Sequence, residues 1–500
     1  MRADLVLALA GGAALGASFL DFRLYPVPWL AMAALLLALE GQTPRRAFRL
    51  GFLAGVTGLA LAFHWLVYAL HVFGGFSRPL AGLLALAPIA WMALELALFG
   101  ALLSWLRPLP LALAPPLAFT AVEFLFPSLF PWRLAHSQYR VPALLQTGEL
   151  AGPYLLTFVM TWSAAALATT VRALRTSGRG AARRAAVALA GAALLVAATV
   201  GYGHVRLAAI ARARAAAPTL TIGVVQGNVG VAEKGRHALF TRNLERYRDL
   251  SRALAPEAEL LIWPETVFQQ RIPASARVLG SALHPFPDAP RPLLFGGLAV
   301  RHADGRRELF NSAFLVREGG VIAGRYDKRV LVPFGEYMPL GDRFPRLRAL
   351  SPATGNFAVG TGPLVLAPRD DARIGPLICY EDILPARARI AVRAGATVLL
   401  NLTNDAWYGD GPQPHQHQAL AIWRAVETRR DLIRATNTGV TSVISAGGRV
   451  LAELPTFEPD VLLAEVRLLE STTPYVARGD VVAWSLVAAL ALVALWRRRH

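Results

Sequence analysis

Long apolar runs occupy the first two hundred residues of the chain, and each is a candidate membrane-spanning helix. A helix needs about 20 apolar residues to cross the hydrocarbon core of a bilayer. Seven runs approach that length, the second being the shortest: Leu5–Leu20, Val27–Leu39, Phe52–Phe73, Leu80–Leu106, Leu109–Phe126, Ala143–Val171 and Ala185–Tyr202. The pattern predicts a helical membrane domain over residues 1–204. We expect the first run to be retained, because it lacks a convincing signal-peptide cleavage site.

A different pattern begins near Pro218 and continues to about Leu469. Short runs of strand-forming residues alternate with amphipathic stretches, of which Arg236–Ala253 and Gln416–Arg434 are predicted to be helical. Strands that alternate with such helices indicate an α/β domain, here residues 218–469. The predicted strands are Thr219–Val225, Ala258–Ile262, Pro292–Leu298, Ser312–Arg317, Gly362–Leu366, Ala372–Ile378 and Thr397–Leu402.

Positive charge between the apolar runs predicts how the chain is oriented. Loops on the inner side of a membrane carry an excess of Lys and Arg. With a cytoplasmic N-terminus, the inner loops hold most of the loop arginines: Arg45, Arg46, Arg49, Arg107, Arg172, Arg175, Arg179, Arg183 and Arg184. The outer loops hold only Arg78, Arg133 and Arg140. Arg206, Arg212 and Arg214 follow the seventh run on the outer side and are exceptions to the rule. Seven spans place the α/β domain outside, and the final apolar run 481–496 returns the C-terminus to the cytoplasm.

The composition excludes an ordinary cytosolic enzyme and a disordered chain. Hydrophobic residues make up 55% and charged residues 17% of the 500 residues, whereas a soluble chain carries about 25% charged residues. The net charge of +18 is divided among short clusters between apolar runs, so we expect no nucleic-acid partner. The single cysteine, Cys379, excludes an intramolecular disulfide and any metal site built from several cysteines.

Three segments of the α/β domain place a reactive residue after a predicted strand. Glu265 follows Pro264, which we expect to end its strand because proline cannot donate to a ladder. Lys328 is one of only two lysines in the chain, and Cys379 ends another predicted strand. Glu, Lys and Cys together can perform nucleophilic acyl chemistry through a thioester. The alternatives are a structural buried thiol, a turn glutamate and a solvated Lys328–Asp327 pair.

These residues lie in motifs that resemble those of the nitrilase (carbon–nitrogen hydrolase) superfamily. The motifs are Trp263-Pro-Glu265, Lys328 with Val332-Pro-Phe-Gly-Glu336, and Cys379-Tyr380-Glu381. Further matching segments are Val225-Gln-Gly-Asn228, Asn401-Leu-Thr-Asn-Asp-Ala-Trp-Tyr-Gly409 and Arg434-Ala-Thr-Asn-Thr-Gly-Val440. With its helical N-terminal half and its final span, the whole chain resembles the bacterial apolipoprotein N-acyltransferase family. One position departs from that resemblance, because Gly235 stands where members of the family often carry tryptophan.

The resemblance implies a fold, a location and a reaction. The fold is a multi-pass α-helical membrane domain of eight spans with a nitrilase-like α-β-β-α sandwich on the periplasmic face of the bacterial inner membrane. The reaction moves a fatty acyl chain from a phospholipid, through a thioester, to the N-terminal amine of a diacylglyceryl-cysteine apolipoprotein. No cofactor or metal is expected, and a monomer is expected.

The resemblance also assigns roles to individual residues. Glu265 is the general base, and Lys328 is the partner of the thiolate and the oxyanion. Glu336 positions Lys328. The two residues after the nucleophile Cys379, which are Tyr380 and Glu381, shape its loop.

Two other functions stay open at this stage. A membrane-anchored nitrilase-type amidase would use the same three residues and let water resolve the acyl-enzyme. A transporter or receptor would use the outer domain only to bind a ligand. The intramembrane carboxylates Glu95, Glu123 and Glu149 would serve such a protein.

Three further features are weighed against ordinary structural roles. His415 and His417 have a metal-like spacing, although a hydrogen-bonding role near the site is the stronger hypothesis. The segment Phe344–Phe357 carries apolar residues that could enter the membrane interface. The loop Gly230–Gly235 is a candidate lid.

Overall fold

A computed structural model describes residues 2–106, 113–176, 178–230, 233, 237–303, 305–346 and 355–499. The chain divides into two units. The helical unit comprises Met1–His71, Phe76–Ala209 and Thr473–His500, and the α/β unit comprises Val72–Gly75 and Ile210–Thr472.

The N-terminal part of the chain is built from apolar helices. They are α1 (Arg2–Leu20), α2 (Val27–Leu39), α3 (Pro44–Ala62), α4 (Trp65–Val72), α5 (Arg78–Trp105), α6 (Ala114–Leu125), α7 (Pro142–Leu145), α8 (Gly148–Ala151), α9 (Tyr154–Thr176) and α10 (Arg179–Ala216). Among the described residues, four helices are long and apolar enough to cross a membrane, or five if α3 and α4, which meet at 60°, form one broken span.

The helix bounds differ from the predicted spans at three places. The third predicted span is broken between α3 and α4, and the sixth, Ala143–Val171, is divided among α7, α8 and α9. The seventh extends well beyond its prediction, to Ala216 in α10. Hydropathy averaged over a whole span does not register such breaks, because the long helices beside them are predominantly apolar. Part of the fifth predicted span, residues 109–112, lies outside the described residues.

Small residues let α1, α3 and α5 pack with their backbones close together. A Cβ atom added to Gly58 of α3 would lie 2.6 Å from the carbonyl oxygen of Gly12 in α1. A Cβ atom on Gly55 would lie 2.9 Å from the Cα and the Cβ of Ala93 in α5. Close backbone approach of this kind is a main source of helix association where lipid surrounds the helices.

Two six-stranded sheets form the α/β unit. The first has the order β12-β1-β2-β3-β4-β5 and the second has the order β11-β10-β9-β8-β7-β6. The strands are β1 (Thr219–Gln226), β2 (Leu260–Pro273), β3 (Leu293–Ala303), β4 (Arg306–Val316), β5 (Ile322–Asp327), β6 (Leu366–Arg369), β7 (Ala372–Ile378), β8 (Val398–Thr403), β9 (Leu432–Thr436), β10 (Ser442–Ile444), β11 (Val450–Glu453) and β12 (Asp460–Arg467). Strands β1, β2 and β3 are parallel, as are β7, β8 and β9.

The sheets face each other across one apolar core, and helices cover their outer faces. Ile222 and Ile262 of the first sheet share that core with Ile374 and Leu400 of the second. Alternate residues of the same strands point outward, where Trp263 packs in a second apolar cluster with residues of a helix. The helices that cover the outer faces are α11 (Phe240–Leu254), α12 (Pro385–Arg393) and α13 (Gln413–Thr428). The layers therefore follow the α-β-β-α order that the resemblance implied.

The structure corrects several predicted bounds in this unit. The helix predicted over Gln416–Arg434 ends at Thr428, and Leu432–Thr436 is a buried strand. A strand was predicted over Gly362–Leu366, but β6 begins only at Leu366. Five strands were not predicted: β5, β9, β10, β11 and β12. The chain then ends in α14 (Pro474–Arg478) and the apolar α15 (Val481–Arg499).

Candidate active site

Glu265 lies on a bulge inside a strand, which corrects the prediction that Pro264 ends that strand. Strand β2 continues to Pro273, but its pairing with β3 is interrupted between Trp263 and Phe268. Proline donates no hydrogen bond, so the interruption begins where the ladder loses a donor. Gly296 of β3 makes room for the bulge, because a Cβ atom there would lie 2.6 Å from the Glu265 Cα. Glu265 is buried, with 7% of its surface exposed.

Lys328 lies directly after β5 and is almost fully buried between two carboxylates. Its Nζ is 2.8 Å from Glu336 Oε2 and 3.7 Å from Glu265 Oε1. The side-chain amide of Asn311 donates to Glu265 at 2.8 Å and to Glu336 at 3.0 Å, so it joins the two acids. The backbone N–H of Val332 donates to Glu336 Oε2 at 2.8 Å, which closes the turn that brings Glu336 to the lysine.

Cys379 occupies the junction between β7 and a single helical turn, Cys379–Ile383. Its φ angle is +51°, which is uncommon for a residue other than glycine. A tight strand-to-helix turn of this kind can present a nucleophile above a sheet. The side-chain amide of Asn401 on β8 donates to the carbonyl oxygens of Leu377 and Cys379, each at 3.2 Å, and so fixes the turn.

Glu381 connects the cysteine turn to the lysine segment. This carboxylate is completely buried. One oxygen accepts the backbone N–H of Ile378 at 2.9 Å and the Tyr326 hydroxyl at 2.8 Å. The other accepts the backbone N–H of Arg329 at 2.8 Å. One side chain thus holds both the residue before Cys379, which is Ile378, and the residue after Lys328, which is Arg329.

Burial and neighbouring charges shift the pKa values of Lys328 and Cys379. Burial opposes the charge of Lys328, but the lysine pKa is raised, chiefly by the carboxylate of Glu336; the thiolate of Cys379, once formed, and the Glu265 carboxylate add to this rise. Burial also raises the pKa of the Cys379 thiol well above its usual value, the Glu265 charge adds to this rise, and Lys328 opposes it. The resting cysteine is therefore a thiol beside an ammonium, and a base must remove its proton before it can attack.

Comparison with known proteins identifies the family. Residues 11–166 match the apolipoprotein N-acyltransferase N-terminal domain, and residues 221–473 match the carbon-nitrogen hydrolase domain. The apolipoprotein N-acyltransferase of Geobacter metallireducens is 33% identical over 509 residues, which cover 99% of this chain and 95% of the relative. That of Azotobacter vinelandii is 35% identical over 512 residues, with 99% and 95% covered.

The chain belongs to the apolipoprotein N-acyltransferase family. Like the enzymes of this family, it is an acyltransferase of the carbon–nitrogen hydrolase superfamily and a multi-pass membrane protein. Among solved structures, Saccharomyces cerevisiae Nit3, a member of branch 10 of the nitrilase superfamily, is similar to 50% of this chain and 90% of its own. The identity is 16% and the TM-score is 0.38.

The structure brings the predicted site residues together and adds one that sequence reasoning missed. Lys328 contacts both Glu265 and Glu336, and the charges of Glu265 and Lys328 act on Cys379. Asn311, which joins the two acids, was not predicted. The only signal for it was a polar side chain in the largely apolar end of β4, where Ser312 is also polar.

Tyr380 lies on the turn that follows the nucleophile and is half-buried. Burial raises the pKa of its phenol, and Tyr337 adds to the rise. Tyr337 belongs to an exposed group of apolar side chains after Lys328 that includes Phe334 and Leu340. Tyr337, a neighbour of Tyr380, thus combines a polar hydroxyl with an exposed aromatic ring.

The three acids predicted within spans have different surroundings in the helical unit. Glu149 accepts hydrogen bonds from Tyr202 at 2.5 Å and from Arg206 at 2.9 Å. The Glu149–Arg206 ion pair gives a structural reason for Arg206, which is an exception to the excess of arginine in the inner loops. Glu123 accepts the backbone N–H of Leu134 at 2.6 Å, and Glu95 lines the same apolar cavity as Glu123.

The remaining candidates are a histidine pair and two loops. Within the described ranges, no group of three or more His, Cys, Asp or Glu side chains is arranged to hold a metal ion. His417 instead contacts two aspartates at 2.7 and 2.9 Å. Most of the predicted lid loop, including Lys234 and Gly235, lies outside the described residues, as do Leu347 and Leu350 of the predicted interfacial segment.

Proposed function

We propose that this protein transfers a fatty acyl chain from a membrane phospholipid to the N-terminal amine of a diacylglyceryl-cysteine apolipoprotein. The observation that carries the proposal is the match to apolipoprotein N-acyltransferases along nearly the whole chain, in the helical part as well as the α/β part. The contacts of Lys328 with Glu265 and Glu336, together with the electrostatic effect of Glu265 and Lys328 on Cys379, support the assignment of the chemistry.

In the first step, Glu265 takes the proton of the Cys379 thiol and the sulfur attacks the ester carbonyl of the phospholipid. Lys328 is charged and buried, so it can stabilise both the thiolate and the oxygen anion of the tetrahedral intermediate. The acyl carbon–oxygen bond then breaks, and Glu265 returns the proton to the departing glycerol oxygen. The products are a lysophospholipid and a thioester on Cys379.

In the second step, the acceptor amine attacks the thioester. Glu265 takes a proton from the attacking nitrogen, and the carbon–sulfur bond breaks as the amide forms. The proton then passes to the sulfur, which restores the thiol and the Glu265 carboxylate. Asn311 and Glu336 hold Glu265 and Lys328 in place through both steps.

Attachment to the membrane is consistent with these substrates. A soluble enzyme would have to remove each lipid from the bilayer at a cost of about 0.8 kcal/mol for every buried CH₂ group. A catalytic domain held by membrane helices avoids that cost. We further propose that the α/β unit is periplasmic, that both termini are cytoplasmic and that the protein acts as a monomer, with the arginine distribution supporting the orientation.

Mass spectrometry of the full-length protein in phospholipid vesicles tests this function. We expect a fatty acyl mass on the Cys379 peptide that is lost when a lipopeptide amine is added, with acylated lipopeptide as the product. Glu265→Gln should retain the fold but form no thioester, whereas the exposed Glu318→Gln serves as the matched control.

Two results would contradict the proposal. Release of free fatty acid without acylated amine would favour the amidase-type hydrolase. Retained biological function after Cys379→Ser would favour a transporter or receptor whose α/β unit only binds a ligand.

A further inference from the structure

His417 lies at the centre of a buried group of charges that the acyl-transfer mechanism does not use. Its Nε2 is 2.7 Å from Asp382 Oδ1, and its Nδ1 is 2.9 Å from Asp405 Oδ1. A carboxylate can only accept a hydrogen bond, so both ring nitrogens must carry a proton to satisfy both partners. The geometry therefore requires an imidazolium. Consistently, the two aspartates outweigh burial and raise the pKa of His417 to about 9.

Arg434 completes this group, which we call the His417 cluster: Asp382, Asp405, His417 and Arg434. All four side chains are buried. Arg434 on β9 donates to Asp382, and its other terminal nitrogen is 4.0 Å from Asp405. While His417 is protonated, the two positive and two negative charges of the cluster give a net charge of zero. Loss of that proton leaves one buried negative charge uncompensated, which is costly in a low-dielectric interior.

The cluster is attached to the turn that carries the nucleophile. Asp382 lies in the same helical turn as Cys379, three residues beyond it, and Asp405 follows β8, the neighbour of β7. The charge of Asp405 is one of those that raise the pKa of the Cys379 thiol. His417 on α13 thus connects the turns after β7 and β8 and faces the aspartate that disfavours the thiolate.

We propose that His417, in its charged form, is a positioning residue for Cys379: it holds these two turns together and cancels the charge of Asp405. The proton on His417 and the ionisation of Cys379 are then coupled, because the thiolate forms more easily while the cluster is neutral. The inference concerns the cysteine of the proposed function, but thiol reactivity can be measured without any lipid substrate.

Other charged groups near the cluster have partners of their own. On α13 itself, Arg424 pairs with Glu427 at 2.6 Å. On the cysteine turn, Glu381 is held by backbone N–H groups and lies 3.7 Å from Arg387 of α12. The charged groups that act on His417 from the surrounding elements are Asp382, Asp405 and Arg434.

Alkylation of the full-length protein by iodoacetamide tests the coupling, because Cys379 is the single cysteine of the chain. The rate is followed by intact-protein mass from about pH 6 to about pH 10, a range that brackets the ordinary and the raised histidine pKa. His417→Gln leaves the aspartate charge uncompensated at every pH. We expect this variant to react roughly tenfold more slowly than wild type near neutral pH, which corresponds to one pKa unit of the thiol.

The pH dependence distinguishes this role from a merely structural one. Above about pH 9 the wild type has lost the same proton, so the two rates should converge. His415→Gln, two residues away on the same helix, is the matched control and should follow the wild type throughout. A deficit of His417→Gln that is constant over the whole range, or no deficit, would overturn the proposal.

A second substitution tests charge rather than shape. Asp382→Asn in the His417→Gln background restores neutrality and should return the rate at neutral pH toward the wild-type value. If His417→Gln does not fold, Asp382→Asn alone provides the test: it should react faster than wild type above about pH 9, where only the wild type carries the uncompensated charge. A rate that is insensitive to Asp382→Asn in both tests would contradict the coupling.

Discussion

At the scale of single residues, the site depends on side chains that are individually rare or strained. The sequence predicted Lys328 from the scarcity of lysine and Cys379 from its uniqueness. The structure adds the reason that each is suited to its place. Lys328 is 1% exposed and contacts two carboxylates, whereas Cys379 has a positive φ angle that presents it on a tight turn. Asn311 was missed, since its importance lies in contacts with two residues distant along the chain.

We expect Lys328→Arg to abolish acyl-enzyme formation, with a loss of about a hundredfold or more. The planar guanidinium is larger than an ammonium. It cannot keep both close contacts at a position where the lysine side chain is only 1% exposed. Thioester formation, measured by mass spectrometry, is compared with the thermal unfolding temperature of the same preparation. An active Lys328→Arg enzyme would show that the charge alone suffices and that the scarcity of lysine has another cause.

At the scale of elements, local irregularities place functional groups and allow close packing. The bulge in β2 turns Glu265 out of the regular ladder, and Gly296 on the next strand leaves space for it. In the helical unit, glycines on α1 and α3 bring helix backbones into contact. Each feature depends on a group that a residue lacks: Pro264 has no N–H and glycine has no Cβ. The sequence shows these residues, but it does not show which neighbouring backbone lies close to them.

Gly55→Ala should destabilise the helical unit, while Gly82→Ala should not. A Cβ on Gly55 would lie 2.9 Å from two Ala93 atoms, so α3 and α5 must separate, whereas a Cβ on Gly82 of α5 meets nothing within 4 Å. Alanine also favours helix over glycine by about 1 kcal/mol, which both variants share. Thermal unfolding in detergent compares the two. Equal stabilities would mean that the contact between α3 and α5 tolerates a methyl group.

At the scale of the whole molecule, apolar helices precede and follow the α/β unit along the chain. The similarity to relatives extends over 99% of this chain and 95% of the Geobacter metallireducens relative. The helical half is therefore a shared part of the family rather than an addition to a nitrilase-like enzyme. A lipid donor and a lipidated acceptor explain why both halves belong to one chain.

The orientation is tested by labelling introduced cysteines in a Cys379→Ala background. Arg306→Cys lies at the exposed hairpin between β3 and β4, and Arg179→Cys lies at the start of α10. A membrane-impermeant maleimide should label the first in intact spheroplasts and the second only after permeabilisation, because the positive-inside rule places Arg179 in the cytoplasm. Labelling of both positions from one side would invalidate the span count.

Local sequence patterns were sufficient to predict the division into apolar and α/β parts, most strands of the first sheet, and the glutamate, lysine and cysteine of the candidate site. These follow from local periodicity and from motifs that need no knowledge of distant residues. The break between α3 and α4, the β2 bulge, the bridge made by Asn311 and the charge on His417 became visible only in the folded chain. The bulge, the Asn311 bridge and the His417 contacts depend on strand register or on partners far along the chain, which no local pattern specifies.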